Sequence, residues 1–427
     1  VQVLSYLLAM KESGQRLPSL IVCPASLVLN WAEECQKFTP ELRCIVVDGG
    51  AAHRAALAEQ WEGADLVVTS YDLLRRDEAL YADRKFYACI LDEAQAIKNH
   101  TTQKYKAVCR VNSRVRFALT GTPVENRLGE LWSIFSFLMP GYLPPYKSFC
   151  TRFEKPIVQE NDPTAVRRLN QLTGPFILRR MKADVLKELP PKTENIYRIE
   201  LEEEQRKLYL AAVLDAREKL KAAKPEDKMA VFAVLMRLRE ICCDPRLVAD
   251  NWTGSSAKLD ACLELVTEAV AGGHRILLFS QFTSMLELLA KRLDEAGVSH
   301  FTLQGSTPKP VRAEQVRRFN QGEADVFLIS LRAGGTGLNL TAADIVIHYD
   351  PWWNLAAQNQ ATDRAYRIGQ RNPVQVYRLI AQDTIEEKIV ELQQAKQSLA
   401  DTVTGGADGA ILSMNPEQLL QLLGEEA

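Results

Sequence analysis

Two neighbouring carboxylates, Asp92 and Glu93, come directly after the apolar run Tyr87–Leu91. An apolar run of this length predicts a strand of a parallel sheet, and the carboxyl ends of parallel strands are where α/β proteins bind ligands. In nucleotide hydrolysis, Asp92 would hold Mg²⁺ through its water shell and Glu93 would accept a proton from the attacking water. The alternative is an acidic N-cap for the next helix, and the motif alone favours that alternative.

Two loops that follow other predicted strands carry residues suited to phosphate. Thr120 and Thr122 follow the run Val115–Leu119, and their hydroxyl groups would lie near the tip of a neighbouring strand. A glycine-rich stretch, residues 334–339, follows the run Val326–Ser330, and such a stretch lets backbone N–H groups approach a phosphate. Each loop is equally compatible with an ordinary turn, since glycine clusters mark turns in many folds.

Gln360, Arg364 and Arg367 are spaced at i, i+4 and i+7 within a predicted helix, Gln358–Arg367. Residues at this spacing share one face of a helix. Two guanidinium groups on one face suit a triphosphate better than a surface ion pair. The alternative is a solvated basic face, and an isolated pair of arginines favours that alternative.

Short apolar runs alternate with helical periods in two parts of the chain, which predicts two α/β lobes with parallel sheets. Between them, from about residue 205 to 243, long charged stretches favour helix and show no strand signal. We predict a first lobe at 1–175, with a protrusion that starts near residue 125, a helical insertion and linker at 176–254, a second lobe at 255–390, and a helical brace and tail at 391–427. The predicted strands are Leu20–Cys23, Cys44–Val47, Asp65–Thr69, Tyr87–Leu91, Val115–Leu119, Arg275–Ser280, Val326–Ser330, Ile345–Tyr349 and Val374–Ile380. The predicted helices include Leu27–Phe38, Ala51–Trp61, Met285–Ala296, Gln358–Arg367 and Thr384–Leu399.

The composition excludes several classes of protein. Of the 427 residues, 52 are Lys or Arg and 54 are Asp or Glu, so a globally basic protein that coats nucleic acid is excluded, although a local basic groove is not. No apolar run reaches the roughly 18 to 20 residues that a membrane span needs, which predicts a protein that is not integral to a membrane. The nine cysteines show no CxxC pair and no zinc-ligand spacing, which favours a reducing, cytosol-like compartment.

Taken in this order, the motifs resemble the motor core of the Swi/Snf-type ATPases, as a bacterial-type member of the helicase-like superfamily with two RecA-like lobes. Several collinear motifs at the family's spacing are more specific than any single motif, and the resemblance covers residues 1 to about 395. The stretches FILRR and PWWN…DRAYRIGQ distinguish the chain from DEAD-box RNA helicases. The matching segments are Leu20–Trp31, Val67–Leu73, Ile90–Asn99, Ala118–Asn126, Phe176–Lys182, Leu235–Pro245, Leu278–Phe282, Ser330–Leu340 and Asp350–Gln370.

The resemblance implies that ATP binds between the two lobes with Mg²⁺ and that its hydrolysis drives movement along double-stranded DNA without full strand separation. It implies that Asp92 organises Mg²⁺ and that Glu93 activates water. It also implies that Arg364 and Arg367 act as arginine fingers beside Gln360, and that the threonines after Leu119 couple the ATP site to DNA. Further residues of the nucleotide site that the resemblance implies are Thr120, Gly335 and Gly337.

The resemblance implies contacts with the phosphate backbone of DNA in both lobes. Trp353 matches an aromatic residue that can wedge at the minor groove, although a core tryptophan beneath the loop is an equal alternative. Basic positions that are candidates to line the DNA track, although such side chains are usually just solvated, are Arg179, Arg180, Lys182, Arg317 and Arg318. The predicted DNA contacts are Ser26, Ser70, Tyr71, Gln281, Ser330 and Trp353.

Two features depart from the family pattern. Gln95 stands where many relatives have histidine, and glutamine is familiar in bacterial-type members. The phosphate loop G-x-x-x-x-G-K-[ST] is absent from the sequence, and Val1–Leu8 resembles the helix that follows that loop. We expect that the sequence was cut just after the loop, that the parent protein is an active ATPase, and that residues 1–427 alone are inactive.

Three functions remain open on the sequence. The first is an ATP-dependent translocase on duplex DNA that remodels protein–DNA complexes. The second is a catalytically silent fragment that binds DNA or a partner, which the missing loop favours, and the third is an RNA helicase, which the helical insertion disfavours. We expect double-stranded DNA and a DNA-bound protein such as RNA polymerase as partners, a monomer, and a cytoplasmic location at the bacterial nucleoid.

Overall fold

Two all-parallel sheets lie in the two parts of the chain where apolar runs alternate with helical periods. In the computed structural model, the first sheet belongs to a unit that ends at Leu178, and the second belongs to a unit formed by the described residues that follow. The predicted pair of RecA-like α/β lobes is therefore confirmed. The structure describes residues 1–121, 128–160, 162–178, 180, 186, 188–222, 224, 227–249, 251–334, 338–393 and 416–423.

The strands of the first sheet are rich in aliphatic residues because helices cover both faces of the sheet. The strands are β1 (Ser19–Cys23), β2 (Cys44–Val46), β3 (Leu66–Ser70), β4 (Lys85–Leu91) and β5 (Asn112–Ala118). They are arranged in the order β2-β3-β1-β4-β5, and every residue of β1 and β3 is buried. Leu91 of β4 lies level with Val22 of β1 and Ala118 of β5, so the residues that follow β4 and β5 emerge at one edge of the sheet.

Polar side chains begin several helices of the first unit. Ser70, Thr102 and Asp162 each accept a hydrogen bond from a backbone N–H group in the first turn of the helix that follows. The α-helices of this unit are Gln2–Glu12, Val28–Phe38, Ala51–Ala58, Tyr71–Arg76, Glu78–Ala82, Gln103–Arg110, Leu128–Leu138, Tyr146–Phe149, Lys155–Gln159 and Pro163–Thr173. Short helical turns lie at Trp61–Gly63, Ala94–Ile97, Cys150–Glu154 and Gly174–Phe176.

The second sheet contains a strand that the sequence did not predict. The strands are β6 (Lys192–Ile199), β7 (Ile276–Ser280), β8 (His300–Leu303), β9 (Val326–Ser330), β10 (Ile345–His348) and β11 (Val374–Ala381), in the order β6-β11-β10-β7-β9-β8. β6 lies inside the range predicted as a helical insertion. It begins with four polar residues and is mostly exposed, and it is held by pairing with β11 and by an ion pair of 2.7 Å between Glu194 and Arg378.

Helices from the predicted insertion pack within the second unit. Helices Glu203–Ala222 and Lys228–Cys243 confirm the helical prediction for residues 205–243, and they share an apolar core with Trp353, Ile389 and Leu419. The boundaries of the predicted domains stay predictions. Among the described residues, no helix is long and apolar enough to cross a membrane. The remaining helices are Pro245–Leu247, Ala257–Ala271, Thr283–Glu295, Lys309–Asn320, Leu331–Gly334, Leu355–Thr362, 385–393 and Pro416–Leu422.

Candidate functional site

The carboxylate of Asp92 is fixed by two donors at the end of β4. Its Oδ2 accepts a hydrogen bond of 2.8 Å from Nε1 of Trp31, and its Oδ1 accepts one of 3.0 Å from the backbone N–H of Glu93. Burial raises the pKa of Asp92, while the bonds from Trp31 and from Glu93 oppose that rise. Trp31 is not among the site residues predicted from the sequence, although it is the last residue of a segment, Leu20–Trp31, that carries the family resemblance.

Glu93 has a backbone conformation that is rare for a side chain of its size. Its φ of 51° and ψ of 55° lie in the left-handed region, where a non-glycine residue usually marks a turn or a functional constraint. Its side chain makes no capping hydrogen bond to the helical turn Ala94–Ile97. The helix-cap alternative is therefore not what the structure shows for Glu93.

A hydrogen-bonded chain joins the ends of β4 and β5. Nε2 of Gln95 donates to Oε2 of Glu93 at 2.7 Å, and the hydroxyl of Thr120 donates to Oε1 of Gln95 at 2.9 Å. Because an amide carries both a donor and an acceptor, Gln95 satisfies both neighbours at once. The structure thus brings Thr120 of one predicted motif together with Asp92 and Glu93 of another. Thr122 lies outside the described residues.

Magnesium would fit the donor set at this strand end. Each oxygen of Asp92 accepts one hydrogen bond and keeps a further lone pair, which suits a water molecule of a Mg²⁺ shell. Within the part of the chain that the structure describes, no cluster of three or more His, Cys, Asp or Glu residues could hold a metal by itself. Mg²⁺ in nucleotide enzymes is usually held by one or two carboxylates together with phosphates and water, and not by a cluster of protein ligands.

Three predicted DNA contacts of the first unit lie near the same edge of the sheet. Tyr71 is buried, and its hydroxyl donates a bond of 2.9 Å to the backbone oxygen of Asp92; burial, and then the charge of Asp92, raise the pKa of Tyr71 well above its ordinary value. Ser70 is also buried, and its hydroxyl accepts a bond of 3.3 Å from the N–H of Leu73. Ser26 is half-buried in the turn after β1. Their contacts with DNA stay predictions.

The helix predicted at Gln358–Arg367 ends at Thr362, so Gln360, Arg364 and Arg367 do not share a helix face, and that expectation is wrong. Beyond Thr362 the backbone N–H groups of Arg364 and Ala365 bond the oxygens three residues back, those of Ala361 and Thr362, at 3.1 Å each, so the helical pattern gives way to turns. The hydroxyl of Thr362 is bonded to Nε2 of His348 at 2.9 Å, and the backbone oxygen of Arg364 accepts a bond of 3.1 Å from the N–H of Leu340. The chain then proceeds through turns.

The two arginines are nevertheless held beside the end of the glycine-rich stretch and the residue that follows it. Arg364 is buried and bonds Leu340 through its backbone, and Nη1 of Arg367 donates to the backbone oxygen of Leu338 at 3.3 Å. Gln360 is half-buried in the helix Leu355–Thr362. Gly335 and Gly337, which the sequence placed in the nucleotide site, lie outside the described residues.

The predicted DNA contacts of the second unit lie at the carboxyl ends of β7, β9 and β10. Gln281 is half-buried and directly follows β7, whereas Ser330 is buried and its hydroxyl accepts a bond of 3.4 Å from Ala333. Trp353 is only 6% exposed, with the guanidinium of Arg239 lying 4.2 Å from its ring centroid. The structure therefore places Trp353 in the core, as in the alternative interpretation, and its contact with DNA stays a prediction.

The basic positions predicted along a DNA track are only partly described. Arg317 and Arg318 are exposed or half-exposed and pair with Glu314 at 2.5 Å and Glu323 at 2.7 Å. Their charges are therefore partly offset by acids on the same surface. Arg179 and Lys182 lie outside the described residues, and Arg180 is the one member of the FILRR pair that the structure describes.

Comparisons with known proteins match both units. The SNF2-related domain family matches residues 1–247, and the helicase conserved C-terminal domain family matches residues 257–369. An uncharacterized ATP-dependent helicase of Mycoplasma genitalium is 39% identical over 95% of this chain and 39% of its own length. YwqA of Bacillus subtilis, named as an ATP-dependent helicase/translocase, is 39% identical over 99% of this chain and 47% of its own length. The TATA-binding protein-associated factor MOT1 of Saccharomyces cerevisiae is 36% identical over 96% of this chain and 25% of its own length.

A solved structure of the Sulfolobus solfataricus SWI2/SNF2 ATPase core in complex with dsDNA is 33% identical, with a TM-score of 0.48, and the match covers 100% of this chain and 90% of that one. The chain spans less than half of the length of the curated relatives described above. The family match over residues 1–247 covers more than half of the chain, and it contains the Asp92–Glu93 site. The chain therefore belongs to the SNF2-related family, and its second unit carries the helicase C-terminal domain.

Proposed function

We propose that the chain is the motor portion of an ATP-hydrolysing translocase on duplex DNA. The observation that carries the proposal is the hydrogen-bonded chain Glu93–Gln95–Thr120 beside Asp92, because it places a carboxylate suited to Mg²⁺ and a positioned base together at the end of β4 and ties them to the end of β5. The relatives named as ATP-dependent helicases support the use of ATP. Since the chain spans less than half of those relatives, the activity of the whole protein is part of the proposal.

The first unit supplies the groups for hydrolysis in this proposal. Mg²⁺, when bound, would neutralise charge on the phosphates. Asp92 would hold its water shell, with both carboxylate oxygens already oriented by Trp31 and by the N–H of Glu93. Glu93 would accept the proton of the attacking water, and the amide of Gln95 would keep its carboxylate in place.

The arginines of the second unit would meet negative charge on the transferring phosphoryl group. This role rests on the family resemblance of the segment Asp350–Gln370. It is supported by the positions of Arg364 and Arg367, which bond Leu340, directly after the glycine-rich stretch, and Leu338, within it. A planar guanidinium suits this task because it presents several N–H donors to phosphate oxygens at once.

Movement along duplex DNA and remodelling of protein–DNA complexes form the further part of the proposal. The relative YwqA is named as a translocase, and the relative MOT1 is named as a factor associated with the TATA-binding protein, which is itself a DNA-bound protein. A net charge of −2 means that DNA would be held by local contacts rather than by the field of the whole chain. A DNA-bound protein such as RNA polymerase is a proposed target of the same class.

The test is ATP turnover of a protein in which a phosphate loop precedes residues 1–427, measured alone, with duplex DNA and with duplex RNA. We expect turnover that duplex DNA stimulates and that RNA does not. Stimulation by RNA instead would favour the RNA helicase. DNA binding without any turnover would favour the catalytically silent fragment.

A further inference from the structure

A fully buried ion pair lies beneath the turn that carries Gln281. Arg239, on helix Lys228–Cys243, is 0% exposed, and its Nη2 donates to Oδ2 of Asp350 at 3.2 Å and to the backbone oxygen of Pro351 at 2.6 Å. The guanidinium also lies over the ring of Trp353. One side chain therefore fixes the whole segment that follows β10.

Asp350 also bonds two residues at the end of β7. Its Oδ1 accepts a bond of 2.6 Å from the hydroxyl of Ser280 and one of 3.2 Å from the backbone N–H of Gln281. The hydroxyl of Ser280 in turn accepts a bond from the N–H of Phe282 at 3.2 Å. The turn after β7 thus depends on a carboxylate that Arg239 holds in position.

The side chain of Gln281 has an unused donor. Its Nε2 is buried and has no hydrogen-bond partner within the part of the chain that the structure describes, although the residue as a whole is half-buried. An unpaired buried donor is costly, and native proteins usually satisfy it with a protein, water or ligand acceptor. A phosphate oxygen of DNA is an acceptor of the right chemistry, and the side chain of Gln281, which as a whole is half-buried at a strand end, would turn outward to reach it.

We propose that Arg239 is a positioning residue that acts through Asp350 to hold Gln281 for contact with the phosphate backbone of duplex DNA. This inference rests on the proposed DNA-binding function. It assigns a role to the two helices Glu203–Ala222 and Lys228–Cys243, because the second of them carries Arg239. It also gives Trp353 a different role from the predicted wedge, since its ring supports the guanidinium from within the core.

A second buried pair in the same unit provides a matched control. Lys258 and Glu386 are both 0% exposed and bond each other, and Glu386 also accepts a backbone N–H, that of Ala381 at 2.8 Å. This pair has the same burial and the same kind of backbone contact, but it joins helix Ala257–Ala271 to helix 385–393. Lys258 and Glu386 interact with Asp350 through charge, but among the described residues they make no hydrogen bond to Asp350 or to the turn after β7, so their loss should affect stability without releasing that turn.

Removing one member of a buried pair leaves the other charge unpaired and can prevent folding, so the test uses double variants of residues 1–427. These are Arg239→Met with Asp350→Asn, and Lys258→Met with Glu386→Gln. Replacing both charges by uncharged groups of similar size is often neutral for stability. We expect both double variants to fold, which thermal unfolding checks before any further comparison.

Two measurements then separate positioning from stability. In the Arg239/Asp350 variant we expect amide exchange at Gln281 to become about tenfold faster and the affinity for duplex DNA to fall about tenfold, since a hydrogen bond to a charged group is worth about that factor or more. In the Lys258/Glu386 variant neither quantity should change. Equal exchange and equal affinity in the two double variants would overturn the proposal.

The two readouts also distinguish this inference from the proposed function. If the parent chain did not bind duplex DNA, the proposed function would fail, while exchange at Gln281 would still show whether Arg239 holds the turn. If the parent bound DNA and exchange at Gln281 rose without any loss of affinity, the turn would not be a DNA contact. That result would contradict the inference and leave the proposed function standing.

Discussion

The indole N–H of Trp31 donates a hydrogen bond of 2.8 Å to Oδ2 of Asp92, so a residue at the start of one helix orients the carboxylate proposed to hold Mg²⁺. Groups that orient a metal-holding residue in this way commonly affect metal affinity or activity 10–100-fold when they are removed. Burial raises the pKa of Asp92, and this bond is one of two that oppose that rise, because a donor stabilises the charged carboxylate.

Trp31→Phe keeps an aromatic side chain, although a smaller one, and removes the N–H; we predict that it lowers ATP turnover about 10–100-fold at limiting Mg²⁺ in a protein that carries a phosphate loop. Raising the Mg²⁺ concentration should recover part of the loss. The control is Trp132→Phe, since the indole N–H of Trp132 donates to the backbone oxygen of Pro144 at 2.8 Å. The same Mg²⁺ dependence in both variants would show that the Trp31–Asp92 bond has no part in catalysis.

Residues 1–427 alone should show negligible ATP turnover, with or without duplex DNA. The sequence contains no phosphate loop, whose backbone cradle and lysine hold the β- and γ-phosphates in related enzymes. The measurement is phosphate release, after thermal unfolding has shown that the chain is folded. Turnover equal to that of a loop-bearing protein would contradict the prediction.

Affinity for duplex DNA should persist in residues 1–427, because the proposed contacts lie in both units and do not read bases. The logarithm of the binding constant should fall with the logarithm of salt concentration, by about 0.9 for each phosphate contact. A titration of unrelated duplex sequences at several salt concentrations provides the measurement. An affinity that did not change with salt concentration, or that was much higher for one sequence than for the others, would count against these contacts.

The stability of the second unit should depend on pH through His348. Burial, followed by the charges of Arg378 and Lys192, lowers the pKa of His348 to about 3, whereas the ordinary value is 6.5. Between these values the unfolded chain binds a proton that the folded chain does not. The stability that His348 contributes is therefore fully present above about pH 6.5 and is lost as the pH falls toward 3.

His348→Gln keeps a hydrogen-bonding group near Thr362 but does not titrate. Urea unfolding at pH 7 and pH 5 should show a weaker loss of stability in this variant than in the parent, with a difference of up to about 1.4 kcal/mol per pH unit. The control is His53→Gln, because the side chain of His53 is 60% exposed. Parallel pH dependences for the parent and His348→Gln would refute the prediction.

Strand-end chemistry could be predicted from the sequence because it depends on local patterns. The apolar run before Asp92 predicts a strand, and parallel strands bring Thr120 to the same edge. The contact between Gln95 and Thr120 could not be predicted, because it depends on the register of β4 against β5. The bond from Trp31 depends likewise on how the helix Val28–Phe38 packs on the sheet.

The errors in the second unit also have a physical origin. β6 begins with four polar residues and is mostly exposed, so it lacks the apolar run that predicts a buried strand, and its pairing with β11 is visible only in the structure. The helix predicted to include Arg364 has suitable side-chain spacing, but the chain turns after Thr362, where bonds from His348 to Thr362 and from Leu340 to Arg364 hold it. A local sequence pattern cannot show a strand or hydrogen-bond partner that is distant in sequence.

Single-turnover ATP hydrolysis with duplex DNA, compared between a loop-bearing protein and its Glu93→Gln variant, decides whether Glu93 is the base of a DNA-stimulated ATPase. We expect nearly unchanged ATP binding and hydrolysis slowed about 10²- to 10⁴-fold, because the amide keeps the shape of the side chain but cannot accept the proton. Hydrolysis near the parental rate, still stimulated by DNA, would show that Glu93 is not the base.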